Sequence, residues 1–189
     1  MAGRIPQEER RRQILGAATE VFARHGFYEA KIEDVALAAG IGKGTIYEYF
    51  RSKAELFRAM LEYVGEYHVQ VLRANMEACG SAGEKLAALA RAHLDLLLQH
   101  RDLARLIFYS HAVLGESVWQ WMEKQEETLL ELLAGIVREG VAQREFRPVD
   151  AALAARAFLG ALWSTGGSLI CRGGSQQNAP DTAEIAAEL

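Results

Sequence analysis

Only two cysteines occur in the 189 residues. Cys79 and Cys171 are too few and too far apart for a disulfide framework or a thiolate metal site. Three prolines, all near segment ends, leave long stretches free to run as helix. No stretch approaches the roughly 18 consecutive apolar residues of a membrane-spanning helix, so none is expected. The N-terminus MAGRIPQEERRR carries positive charge with no apolar segment behind it, so a secretory leader is not expected either. Strand-period alternation, internal repeats and low-complexity tracts are missing. There is no G-x-S-x-G, phosphate-binding loop, H-E-x-x-H or carboxylate pair beside a nucleophile, and catalysis is therefore not expected. His93, His100 and His111 have no partner at metal-ligand spacing, which leaves no metal and no cofactor to assign. These absences point to an all-helical chain that is not an enzyme, at home in a reducing cytoplasm.

What is present fits that class. Hydrophobic residues make up 50% of the chain and charged ones 24%, as in ordinary globular proteins. The length allows one large or two small domains with a sizeable core. A net charge of −4 argues against a general nucleic-acid coat, but its distribution is uneven. Residues 1–57 hold nine Lys/Arg against eight Asp/Glu, whereas the rest holds twelve against seventeen. The basic residues of the first part cluster at Arg4, Arg10, Arg11 and Arg12 and again at Lys43, Arg51 and Lys53.

The most informative stretch is 32–57, IEDVALAAGIGKGTIYEYFRSKAELF. Ile32, Val35, Ala36 and Ala39 recur at helical spacing and give one apolar stripe. Gly40 follows where a left-handed cap asks for glycine. Ile41 plugs the turn, and Gly42 stands at the N-cap of a second short helix over 43–49. That helix turns Ile46 and Phe50 inward and leaves Lys43, Thr45, Tyr47, Glu48 and Tyr49 on or near its outside. Two short helices around a glycine turn, the second exposing polar and aromatic side chains, form a helix-turn-helix that enters a major groove.

From about Glu9 to Leu56 the chain resembles the N-terminal domain of the TetR family of one-component transcriptional repressors. The matching pieces are Ile14-Leu15-Gly16-Ala17-Ala18, Phe22, Gly26-Phe27, Val35-Ala36 and Ala39-Gly40-Ile41. They continue through Lys43-Gly44-Thr45-Ile46-Tyr47 and Tyr49-Phe50 to Ser52-Lys53-Ala54-Glu55-Leu56. Beyond this point the likeness is one of length and all-helical pattern. It implies a three-helix DNA-binding head over 1–57 and a larger helical body over 58–189 that binds an effector and dimerises.

Further helices follow from periodicity and end signals. The first is expected over 7–25, stopped by Gly26, with Ile14, Leu15, Ala18, Val21 and Phe22 inward and Phe27 as an anchor. Ser52 and Glu55 form a capping box that opens a long helix to about 78, and Ser81 with Glu84 repeats it for a helix to about 100. Others are expected over 102–113, over 116–139 ending at Gly140, over 149–171, and from about 181 to the end, some nine in all.

The family resemblance assigns Lys43, Gly44, Thr45, Tyr47, Glu48 and Tyr49 to the recognition surface and Lys53 to a backbone-contacting lysine. Thr45 and Tyr47 can meet phosphate or a thymine methyl, and Lys43 can reach guanine or phosphate. Glu48 is repelled by a groove unless cytosine N4 donates to it, so it could equally be solvated; Tyr49 could pack on the head's core. Lys53 has the wrong sign for the start of a helix, which a nearby phosphate would explain. This chain departs from the family at Ala30 and Lys31, where hydroxyl residues are common. It departs again at Gly42, often serine, and at Glu33, where some members carry a base-reading arginine. Lys31 can supply by charge the phosphate contact that a hydroxyl would make.

For the body, an apolar chamber with a few polar groups is expected from Tyr63, Tyr67, His68, Leu97, Phe108, Tyr109, His111, Trp119, Met122 and Trp163. Of Trp119 and Trp121, one is expected at the surface. The small residues between Ala151 and Gly167 suit close helix packing, and in the family the last two helices form the dimer interface. A dimer would match a palindromic operator. The whole implies a repressor released by a small, largely apolar effector. The alternative is a helix-turn-helix dimer without a ligand, acting through a protein partner.

Overall fold

The computed structural model describes residues 6–114, 116–171 and 182–188, with the side chains at 108–114, 117, 184, 187 and 188 outside the description. Nine helices and no strand occur among the described residues. They are α1 (Gln7–Glu29), α2 (Ile32–Ala38), α3 (Lys43–Tyr49), α4 (Lys53–Met76), α5 (Ala82–Gln99), α6 (Arg101–Leu114), α7 (Glu116–Ala142), α8 (Ala151–Cys171) and α9 (Thr182–Glu188). The chain divides into two compact units: Met1–Gly65 with Asp102–Val118, and Glu66–Arg101 with Trp119–Leu189.

In the first unit α1 breaks at Gly26, whose φ of 72° leaves the helical region, as the glycine stop predicts. The break lets Phe27 fold back, so that Phe22, Phe27 and Phe57 form a ring cluster with the Phe57 centroid 5.0 Å from both others. Ile14, Leu15, Ala18, Val35, Ile46, Phe50 and Leu56 are buried in the same unit. Gln13 Nε2 donates to Ala39 O at 2.6 Å, which pins the α1 surface to the end of α2. Gly40 then takes φ 64°. Ile41 N reaches back to Ala36 O at 3.0 Å and Gly40 N to Leu37 O at 3.1 Å, the paired bonds of a Schellman cap. Three residues after that cap α3 begins, with Gly42 as its N-cap. Ser52 Oγ accepts from Glu55 N at 3.1 Å and opens α4.

The second unit is built on α5. Ser81 and Glu84 make the reciprocal capping box expected of them. The core joins Leu72, Leu89, Leu94, Leu129, Leu133, Leu159 and Leu162 with several alanines. Lys85 Nζ donates to both Glu139 oxygens, at 2.7 and 2.8 Å. α5 packs on α8 and on α9. Thr182 Oγ1 donates to Asp95 Oδ1 at 2.6 Å, so the short last helix is held against its own subunit.

Two boundary expectations need correction. Gly140 does not end α7, which runs on to Ala142. A Cβ at Gly140 would lie 2.4 Å from the Phe146 ring and 2.9 Å from Ala82, so glycine is there to let Phe146 close over the helix. Two residues beyond the end at Ala142, Arg144 takes a left-handed φ of 62°, and Glu145 N bonds Gly140 O at 2.9 Å. Likewise α8 starts at Ala151 rather than 149. The Asp150 carboxylate caps it, accepting from Ala152 N at 2.9 Å and Leu153 N at 3.0 Å, a choice Asp makes readily.

Candidate nucleic-acid interface

The α2–α3 pair lies wholly in the first unit. Ile46 is the buried residue of α3, while Lys43, Gly44, Tyr47 and Glu48 are exposed and Thr45 and Tyr49 half-buried. Nothing lies within 4 Å of where a Gly44 Cβ would stand. That glycine is open to the outside rather than demanded by packing within the chain. Lys31, at the N-cap of α2, is exposed as well. Tyr47 is 46% exposed, and the Lys43 ammonium stands 5.8 Å from its ring centroid. Tyr49 lies beside Phe50, centroids 6.4 Å apart, so part of its ring serves the head's own packing.

Charge on this face is not free. Lys43 Nζ donates to Glu33 Oε1 at 2.5 Å, joining α3 to α2 through two exposed side chains. The hydrogen bond from Lys43 holds the Glu33 carboxyl below its ordinary range, and the same bond raises the Lys43 ammonium. Leu37 on α2 is 82% exposed, a large apolar side chain on the outside of the pair.

Lys53 has partners within the head itself. Its Nζ donates to Tyr28 O and Ala30 O, both at 2.9 Å, and lies 4.9 Å from the Phe27 ring centroid. The carbonyls at the α1–α2 junction therefore account for a cation in the first turn of α4, without a phosphate. Arg11 sits over the Phe50 ring at 5.6 Å.

The expected effector residues are scattered over the two units. Phe108, Tyr109 and His111 lie on α6 with side chains outside the described residues. Tyr63 belongs to the first unit and is half-buried; Tyr67 and Trp119, in the second, are about half exposed. Met122 is half-buried, and Trp163 packs against the core of the second unit. Leu97 lies against α8, where a Gly166 Cβ would meet its Cδ1 at 2.5 Å. His68 is hydrogen-bonded to His93, Nε2 to Nδ1 at 3.0 Å, a partnership with no sequence signal because the two stand on different helices. Trp121 is half-buried while Trp119 is the exposed one. Among the described residues no group of three His, Cys, Asp or Glu could hold a metal ion. Neither Cys79 nor Cys171 is in a disulfide, and no described helix is long and apolar enough to cross a membrane.

Comparison with known proteins places this geometry. Residues 14–60 match the model of the bacterial regulatory proteins of the tetR family, and 79–166 match a tetracyclin repressor-like C-terminal domain. The fatty acid metabolism regulator protein of Bacillus subtilis is 30% identical over 158 residues, 81% of this chain and 79% of that one. The transcriptional activator FasR of Mycolicibacterium smegmatis is 34% identical over 56% of this chain and 48% of its own length. Among solved structures, FadR of Bacillus subtilis in complex with stearoyl-CoA aligns with a TM-score of 0.79 at 24% identity, over 94% of both chains. AibR in complex with isovaleryl coenzyme A and operator DNA gives 0.69 at 20% identity, over 95% of both chains. A helix-turn-helix head and a helical body that each match their own family model leave one assignment: the chain belongs to the TetR family and is a DNA-binding transcriptional regulator.

Proposed function

We propose that the chain is a ligand-responsive repressor that grips a palindromic operator as a homodimer and lets go when an acyl-CoA occupies its body. Residues 1–57 form the DNA-binding part and 58–189 the effector-binding and dimerisation part. The observation that carries the reading is the outward row of α3, where Lys43, Gly44, Tyr47 and Glu48 stand exposed around a single buried anchor, Ile46. Lys31 and Lys43 contact phosphate, Thr45 and Tyr47 meet base edges or methyls, and Lys53 secures the helix-turn-helix to α1.

For the effector, the support is the likeness to the fatty acid metabolism regulator of Bacillus subtilis and to a structure holding stearoyl-CoA. An acyl chain is largely apolar and suits a body rich in buried leucine. α4 contributes residues to both units, so it is the element through which an occupied body would shift the head. Release requires the ligand to bind the two states unequally. The dimer forms through α8, whose Leu153, Ala157, Gly160 and Ser164 are exposed along one side. Two heads then meet grooves about 34 Å apart. α9 contributes less, being tied to α5 by Thr182. Cytoplasmic location follows from the DNA partner.

Anisotropy of labelled duplexes selected from a random palindromic pool tests this. Binding should weaken steeply with salt and be reversed by one member of an acyl-CoA series running from isovaleryl to stearoyl. DNA binding that no member reverses would instead support the ligand-free dimer acting through a protein partner.

A further inference from the structure

The second unit buries two imidazoles against one another. His68 on α4 and His93 on α5 stand with ring centroids 5.1 Å apart, and Nε2 of the first is 3.0 Å from Nδ1 of the second. Burial pushes His68 down to about 4 and His93 to about 3, with His68 adding to the latter. Both rings are therefore uncharged at neutral pH. One hydrogen bridges them, which leaves two arrangements. If His68 Nε2–H donates, His93 carries its proton on Nε2; if His93 Nδ1–H donates, its Nε2 is a bare lone pair.

Either way His93 Nε2 is stranded. The residue is 4% exposed, and this nitrogen is buried with no hydrogen-bond partner among the described residues. Buried polar atoms are nearly always paired, so an orphan asks for an explanation. Leu89 and Leu97 stand one turn either side on the same face of α5, and a third leucine would have been the cheaper choice. The other orphan among the described residues, Trp121 Nε1, lies in the same unit. The first unit has none among its described residues.

We infer that His93 Nε2 is the anchor for one uncharged acyl carbonyl at the head of an apolar chain, with His68 as its positioning residue. This rests on the acyl effector proposed above. A carbonyl oxygen has lone pairs and no proton, so it selects the arrangement in which His93 Nε2–H donates. His68 holds that tautomer by donating to Nδ1. A carboxylate fits worse, since neither imidazole has a cationic partner among the described residues and both are neutral. The carbonyl can belong to a thioester or to a protonated fatty acid.

Titration calorimetry of the full-length protein with isovaleryl-CoA, stearoyl-CoA, their S-alkyl thioether analogues and stearate decides the matter. Wild type should bind a thioester about tenfold more tightly than its thioether, which keeps the chain and the nucleotide but lacks the carbonyl. His93→Leu should bind both alike, and His93→Gln, which returns an N–H near the same place, should recover part of the preference. Nitrogen-15 shifts of the His93 ring in wild type give a readout independent of whether the variants fold. A hydrogen-bonded Nε2–H should form with the thioester and not with the thioether. Stearate bound in preference to stearoyl-CoA, with the same dependence on His93, supports the anchor and gives the carbonyl to a free acid. Equal binding of thioester and thioether by wild type, or a preference that survives in His93→Leu, overturns the anchor alone. Failure of every acyl probe to bind wild type overturns the acyl effector, and the anchor with it.

Discussion

Glu33 and Lys43 show how much one side chain can alter a DNA-facing surface. Their bond at 2.5 Å neutralises a cation on the recognition helix before any duplex arrives. Both are exposed, so the pair itself adds little to stability. Its consequence is for binding, because Lys43 must leave Glu33 to neutralise a phosphate. Replacing Glu33 by Gln should therefore tighten binding to specific and random duplexes alike, by about threefold. The logarithmic salt slope should stay close to that of wild type, because Lys43 neutralises the same phosphate in both complexes. Anisotropy titrations from about 50 to 200 mM salt would measure both; an unchanged affinity would mean Lys43 faces no phosphate. The sequence marks Glu33 as unusual for a groove-facing helix and Lys43 as basic, but ten positions of separation across a turn do not announce a pair. Lys53 carries the same lesson in reverse. Its odd placement in a first helical turn was legible, while its partners, two carbonyls at the end of α1, exist only once the chain has folded back.

At the scale of the element, what could be read were interactions that close within five or six residues. The capping boxes at Ser52 and Ser81, the left-handed Gly40 and the break at Gly26 all take their partners from nearby backbone, so a local pattern suffices. Gly140 misleads for the same reason. As a string it looks like a stop signal, yet its role is to make room for Phe146, and the left-handed residue, Arg144, comes two positions after the end of α7. A Gly140→Ala variant should lose about 1–3 kcal/mol through overpacking, despite alanine's better helix propensity. Adding Phe146→Leu should recover part of that loss, and a double-mutant cycle in urea would show the coupling. If Gly140→Ala were instead more stable than wild type, the contact with Phe146 would be too soft to matter.

For the molecule as a whole, the buried imidazoles set a pH dependence distinct from that of its ion pairs. Both folded values lie below the ordinary 6.5, so the unfolded chain takes up protons first as pH falls. Stability is intact above about 6.5 and declines as pH drops toward 4, by at most about 1.4 kcal/mol per unit for each ring. Glu139 behaves otherwise: the hydrogen bond from Lys85 lowers it, and its contribution is lost only below the usual carboxylate range. Urea unfolding at pH 7, 6 and 5 should therefore show a decline that a His68→Leu/His93→Leu double variant largely removes. An equal decline in both proteins would assign the acid sensitivity to other groups.

Unaided, the amino-acid order determined the helical class, the limits of most helices, the glycine turn between α2 and α3, and which side of α3 looks outward. Periodicity says which face of a helix is apolar, and caps say where it ends, because both are written in neighbours along the chain. Only the tertiary structure decided which distant groups meet. It set His68 against His93 twenty-five positions on, Lys85 against Glu139 fifty-four on, and Asp95 against Thr182 eighty-seven on. A stripe of leucines fits many opposing stripes almost equally well. The selection among them comes from packing and from the pairing of buried polar atoms, which are properties of the assembled core.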